Sequence, residues 1–212
     1  MTVPASKLLN DFLKKSIVPA LKNIGFDGKG RVWTRSKDDG IQLVDIQNWK
    51  YNDPAQARFT IEFGICFPDM LAEVAKLDEF AFHRPYLNKP DIVVCQVRER
   101  LGMLLDEPQD TWWSVNAEPA QLPDPAEILV PLLDRAVPWL DARSSLSALV
   151  ESGEAGGGVF GIAARAACDR RDEVMAEARE YSKRRHPQDA DAEAALFGKL
   201  VKLIEAVPKK HG

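Results

Sequence analysis

A chain of 212 residues, 45% apolar and 28% charged, has room for one large soluble domain or for a main domain with a small appendage. Its 32 acidic and 28 basic residues leave a net charge of −4, which argues against a general nucleic-acid binder, because that class needs a basic surface to displace counterions. No apolar run approaches the roughly 20 residues of a membrane span, and Met1–Ala5 shows no charged leader before an apolar core, so neither a membrane segment nor a signal peptide is expected.

Ala5 to Ile24 reads as an amphipathic helix, with Leu9, Phe12, Leu13, Ile17, Leu21 and Ile24 at helical spacing. Pro19 is expected to kink or divide it. Gly25 suits a C-terminal cap, with Phe26 as an anchor. A meander follows. Arg31–Ser36 is a first strand, Lys37-Asp38-Asp39-Gly40 a turn, and Ile41–Trp49 a second strand. In Ala57–Phe67, Phe59, Ile61, Phe63 and Ile65 alternate with Thr60, Glu62, Gly64 and Cys66. This predicts a strand with one buried face and one more open face. Met70–Leu77 has the spacing of a short helix, and Phe80–Tyr86 that of an aromatic loop. Ile92–Leu104 is expected as a fourth strand and Thr111–Val115 as a fifth. A helix from Ala126 to about Ala142 is broken in its regularity by Pro131 and Pro138.

Ser152 to Gly158 is rich in glycine and marks a boundary. Beyond it the composition turns to alanine and charge, and three helices are expected: Val159–Cys168, Asp172–Arg185 and Asp189–Val207. The organisation read from the sequence is a sheet domain over 1–152, a hinge over 153–158 and a helical module over 159–212. The fold class is α+β: an antiparallel sheet of about five strands packed by helices, then a small all-helical module.

Certain residues carry a resemblance. Leu21-Lys22-Asn23-Ile24-Gly25-Phe26, Ile46-Gln47 and Phe59 to Ile65 occur in order, followed by Val97-Arg98-Glu99-Arg100-Leu101-Gly102 and Asp110-Thr111-Trp112-Trp113. As an ordered set they resemble the bacterial Domain of Unknown Function 4304 family, over roughly the first two-thirds of the chain. The resemblance implies an α+β fold and brings no activity with it. Asn48-Trp49 departs from similar proteins, which often have a small polar or basic residue after the Ile-Gln pair.

The stretch Cys95 to Gly102 is the sharpest lead to chemistry. On a strand, Cys95, Val97 and Leu101 face one way and Gln96, Arg98 and Arg100 the other. Two guanidinium groups side by side need a negative neighbour. One reading is an anionic ligand gripped by Arg98 and Arg100, with Gln47 adding an amide from a neighbouring strand. The other is a pair of cross-strand salt bridges to Glu62 and Glu99. Trp112 and Trp113 point to opposite faces; core packing and stacking on a ligand are both open to them. His83, among Phe82, Arg84 and Tyr86, is the one histidine with pocket-forming neighbours. His186 falls in a turn and His211 in a tail. Cys66, Cys95 and Cys168 offer no C-x-x-C pair, which argues against a zinc site or disulfide framework and for a reducing cytoplasm.

No nucleophile set, metal cluster or cofactor fingerprint stands out, so no catalytic residue, metal or cofactor is assigned. The expectation is a non-catalytic interaction protein of the bacterial cytoplasm with a protein partner. An immunity-type protein that neutralises a toxin is one form of it. The alternative is a domain, binding or enzymatic, that takes a small anionic ligand on its Gln/Arg-lined sheet face.

Overall fold

The computed structural model describes residues 3–209. Along the chain run α1 (Ala5–Phe12), α2 (Val18–Asn23), β1 (Asp27–Lys29), β2 (Val32–Lys37), β3 (Gly40–Asn48) and β4 (Gln56–Cys66). Then come α3 (Pro68–Val74), β5 (Val97–Arg100), β6 (Trp113–Ala117), β7 (Ala120–Gln121), α4 (Pro125–Pro131) and α5 (Val137–Asp141). The last elements are α6 (Leu146–Glu151), α7 (Val159–Ala167), α8 (Arg171–Arg185) and α9 (Ala190–Ala206). His211 lies outside the described residues. Among the described residues no helix is long and apolar enough to cross a membrane.

The chain falls into two compact units. One holds the described residues up to Lys37, Gln42–Ile65 and Arg98–Ala142; the other holds Asp38–Ile41, Cys66–Val97 and the described residues from Arg143 onward.

In the first unit the N-terminal apolar stripe is buried as its spacing predicts, through Leu9, Phe12, Leu13, Ile17 and Leu21. The run is divided ahead of Pro19 into two short α-helices. A π-helical segment, Leu13–Ile17, joins α1 to α2, and the Val18 N–H bonds to the Leu13 carbonyl. Pro19 then stands in the first turn of α2, where its missing N–H costs little. Gly25, at φ +87°, ends the run. Its N–H bonds to the Lys22 carbonyl and the Phe26 N–H to the Leu21 carbonyl, both at 3.0 Å, which is the Schellman arrangement expected of Gly25-Phe26.

The sheet has seven antiparallel strands in the order β1-β2-β3-β4-β6-β7, and β5 also pairs with β4. The two strands beyond the expected five are β1 and β7, of three and two residues, too short to show alternation. Register places Gly28 opposite Trp33 and Phe59 opposite Trp113. Phe59, Ile61, Phe63 and Ile65 are fully buried. Phe59 meets Phe12 of α1 at 6.2 Å between ring centroids, and Phe63 meets Trp139 of α5 edge-on at 5.2 Å. The expectation of a more open second face is corrected: Thr60 and Cys66 are fully buried and Glu62 is only 9% exposed. Alternation assigns a residue to a face but does not say whether that face is covered.

The expected strand Ile92–Leu104 is also corrected. Only Val97–Arg100 forms a strand, between 3₁₀ turns at Ile92–Val94 and Leu101–Leu104. Asp91 caps the first turn by accepting from the Val93 N–H. At Gly102 the chain folds back so closely that a Cβ would stand 2.2 Å from the Gln109 carbonyl oxygen. The helix expected from Ala126 starts at Pro125, with Asp124 accepting from the Ala126 N–H. It too contains a π-helical segment, Leu132–Ala136, followed by Pro138 in the first turn of α5.

In the second unit α9 buries Leu196, Leu200, Leu203 and Ile204, and α8 buries Val174 and Ala178. α7 packs on α3, and Phe67, just before α3, lies 6.1 Å from the Phe160 ring. The short helix α6, capped by Ser145, has no counterpart in the sequence reading. The glycine run is anchored at Gly156, whose carbonyl accepts from Arg165 at 3.0 Å.

Candidate functional site

The residues predicted to bind an anion divide into two separate polar pairs. Gln47, near the end of β3, donates through Nε2 to Glu62 Oε2 at 2.5 Å and to Asp45 Oδ2 at 3.3 Å. Arg98 approaches the other Glu62 oxygen at 3.7 Å through Nε, and its side chain is 52% exposed. The amide expected to serve a ligand thus satisfies a buried carboxylate, and Arg98 is its outer cation.

Arg100 is engaged elsewhere. It pairs with Asp110 Oδ1 at 2.5 Å and lies 5.7 Å from the centre of the Trp112 ring. The Trp112 indole N–H donates to the other Asp110 oxygen at 3.2 Å. The hydrogen bond from Arg100 is the main cause holding the Asp110 carboxyl below its usual range; burial opposes it, and the Trp112 bond and the Arg100 charge assist. Glu99 accepts from the Arg100 backbone N–H. Gln96 serves the backbone, accepting from the Phe67 N–H and donating to the Val94 carbonyl, both at 2.8 Å. The sheet face is therefore partly open at Arg98 and Arg100.

Trp113 is core, 5.8 Å from the Phe59 ring, whereas Trp112 precedes β6, which starts at Trp113 and not at the expected Thr111, and is half-buried. His83 belongs to the second unit, in a 3₁₀ stretch over Asp78–Tyr86. It stacks on Phe80 at 6.2 Å and touches Phe82 at 4.1 Å. Burial lowers its pKa, as expected of an imidazole placed among rings. Cys66 is buried, which pushes its thiol up to about 12 and makes it an inert packing residue. Among the described residues no group of three or more His, Cys, Asp or Glu could hold a metal ion.

Two features escaped the sequence reading. The first is a polar clamp. Arg35 donates to Gln42 Oε1, to the Ile24 carbonyl and to Asp141 Oδ1, and Lys37 pairs with Asp141 Oδ2 at 2.8 Å. It ties the β2–β3 hairpin to the ends of α2 and α5. The fully buried Gln42, on the face of Val44 and Ile46, was the signal for it.

The second is a surface groove of about 510 Å³ between the loop after Leu104 and α4. Leu105, Val130 and Pro131 give it apolar walls, and Asp106, Glu107 and Glu127 an acidic rim. Arg135 fixes the loop side, donating to the Leu104 carbonyl at 2.7 Å and to Asp106 at 2.6 Å. On α4 the inward positions Ile128 and Pro131 are buried, while Val130 is 55% exposed.

A family model described as a domain of unknown function (DUF4304) matches residues 17–142, a span that includes the groove and ends where the first unit ends. No curated protein and no solved structure matches the chain. The chain belongs to the DUF4304 family.

Proposed function

We propose that this family member is a protein-interaction module of the bacterial cytoplasm that holds a basic partner in the groove beside α4. The observation that supports this reading is the 55% exposure of Val130 among acidic neighbours on a fixed wall. An exposed apolar residue in a rimmed groove gains free energy when a partner covers it. Asp106 is paired with Arg135, so Glu107 and Glu127 are the acids that favour a cationic partner and speed its approach, in keeping with the chain's net charge of −4. Arg135 holds the loop wall in place before binding, so little ordering remains to be done on contact. A protein that neutralises a toxin by covering a basic surface is one form of this function.

The test compares the wild-type chain with a Glu107→Lys/Glu127→Lys/Val130→Ser variant. A short amidated peptide alternating lysine and leucine serves as the probe. Saturable binding that weakens at least about tenfold in the variant, and that falls with added salt, is the expected result. Equal binding to both proteins, or no saturable binding, overturns the reading.

A second reading puts a small anionic ligand on Arg98, which is half exposed and only loosely paired. Asp45 and Glu62 beside Gln47 oppose an anion at that place. Thermal-shift screening against nucleotides and small anions, repeated with Arg98→Ala, separates the two.

A further inference from the structure

The β1–β2 hairpin and the first helix enclose a pocket of about 380 Å³, lined by Asn10, Leu13, Lys14, Lys29, Arg31 and Trp33 among others. It lies on other elements than the groove beside α4. Its charge is one-sided: Lys14, Lys29 and Arg31 are cations, and no acidic side chain is among the described residues that line it. Two of the lining residues carry buried donors that the protein does not use. Arg31 donates through Nη2 to Asn10 Oδ1 at 2.7 Å, whereas its Nη1 is buried without a partner. Trp33 is 3% exposed, and its indole Nε1 is buried without an acceptor.

The backbone is built to hold these groups. Lys29 pairs with Val32, leaving Gly30-Arg31 as a two-residue turn with Gly30 at φ +71°. At Gly28 a Cβ would stand 2.3 Å from the Val32 carbonyl oxygen, so only glycine lets the strands close over Trp33. A guanidinium with an unused buried nitrogen carries a desolvation cost that an acceptor would offset. Burial disfavours the charge on Arg31, and the carboxylate of Asp45 offsets that only in part.

We infer that this pocket binds the phosphate group of a small phosphomonoester. Three cations match a dianion better than a single carboxylate, and the planar guanidinium fork suits phosphate oxygens. Trp33 adds an unused indole N–H among the lining residues, and Leu13 gives the pocket an apolar side for the organic part of the ligand. The volume is that of a small-molecule site.

The test titrates inorganic phosphate into the ¹⁵N-labelled chain at constant ionic strength and follows the indole N–H resonances. Trp33→Phe identifies the signal of Trp33. A saturable shift of that signal is expected. Arg31→Gln should abolish it, and Lys14→Ala/Lys29→Ala should weaken affinity at least about tenfold. Both lysines are exposed, so the double variant keeps its fold even if the Arg31 variant does not. The inference is overturned by the absence of a saturable shift, by an equal shift with chloride, by undiminished affinity in the lysine variant, or by tighter binding of succinate than of phosphate.

Discussion

Gln47 and Arg98 touch the same carboxylate but leave different things behind when removed. Gln47→Ala strips a buried Glu62 of its amide donor, and a loss of about 1–3 kcal/mol is expected in urea unfolding. Arg98→Ala removes a half-exposed cation at 3.7 Å, and the loss should stay below about 1 kcal/mol. Equal losses would mean that Arg98 holds the carboxylate as firmly as Gln47 does. Phe63→Ala should cost about 3–5 kcal/mol in the same measurement, because its fully buried ring packs edge-on against Trp139. The burial of Phe63 was legible from period-two alternation alone. The pairing of Gln47 was not, because alternation is silent on what covers the second face. The groove was illegible for another reason: Leu105 and Val130 are far apart in sequence, and neither sits in a pattern that marks a surface.

At the scale of elements, the two helical runs of the first unit share one plan. Leu9, Phe12, Leu13, Ile17 and Leu21 are buried in the first, and Ile128, Pro131, Leu132, Ala136 and Leu140 in the second, with the same spacing. Each has a π-helical segment and then Val-Pro, Val18-Pro19 or Val137-Pro138. A π turn carries an extra residue, so the helix beyond it is rotated relative to an unbroken α-helix. Inserting an alanine after Lys15 should turn Ile17 and Leu21 by about 100° away from the core. The expected loss is about 3–5 kcal/mol, read by thermal and urea unfolding. The apolar stripes were legible in the sequence; the π segments were not, since a proline announces an interruption without saying how the backbone accommodates it. The clamp at the end of α5 carries a pH prediction. Burial pushes the Asp141 carboxyl up, but hydrogen bonds from Lys37 and Gln42 and the charges of Arg35 and Lys37 together hold it below its usual range. A lowered folded-state value means that the stabilisation is complete above the ordinary carboxylate value of about 4 and disappears as pH falls through the lowered one. Asp141→Asn should therefore reduce stability at neutral pH and flatten the acid limb of a melting-temperature profile. An unchanged acid limb would remove Asp141 from the clamp.

For the molecule as a whole, the partition into two units sets the expected result of truncation. The sequence proposes a boundary at the glycine run and a separable module behind it. Residues 159–209 share a unit with Cys66–Val97, and α7 packs on α3. Deleting 156–212 should leave the first unit with its own core of Phe59, Ile61, Phe63 and Leu132, and so with a cooperative melt and strand-type circular dichroism. Pro68–Val74 should lose hydrogen-exchange protection, because Met70, Leu71 and Val74 lose the helix packed on them. Complete unfolding would show that the first unit does not hold its structure without residues 156–212. The sheet has one more consequence, at its margins. The strands that end its order, β1 and β7, offer three and two residues, and Pro119 and Pro123 flank the second. Fibril growth needs a long unpaired edge on which the next chain can lay down a strand. At both ends of this sheet such a template is too short to copy, so the folded chain resists polymerising there even though β4, at its centre, is the kind of apolar segment that would seed a fibril if it were released.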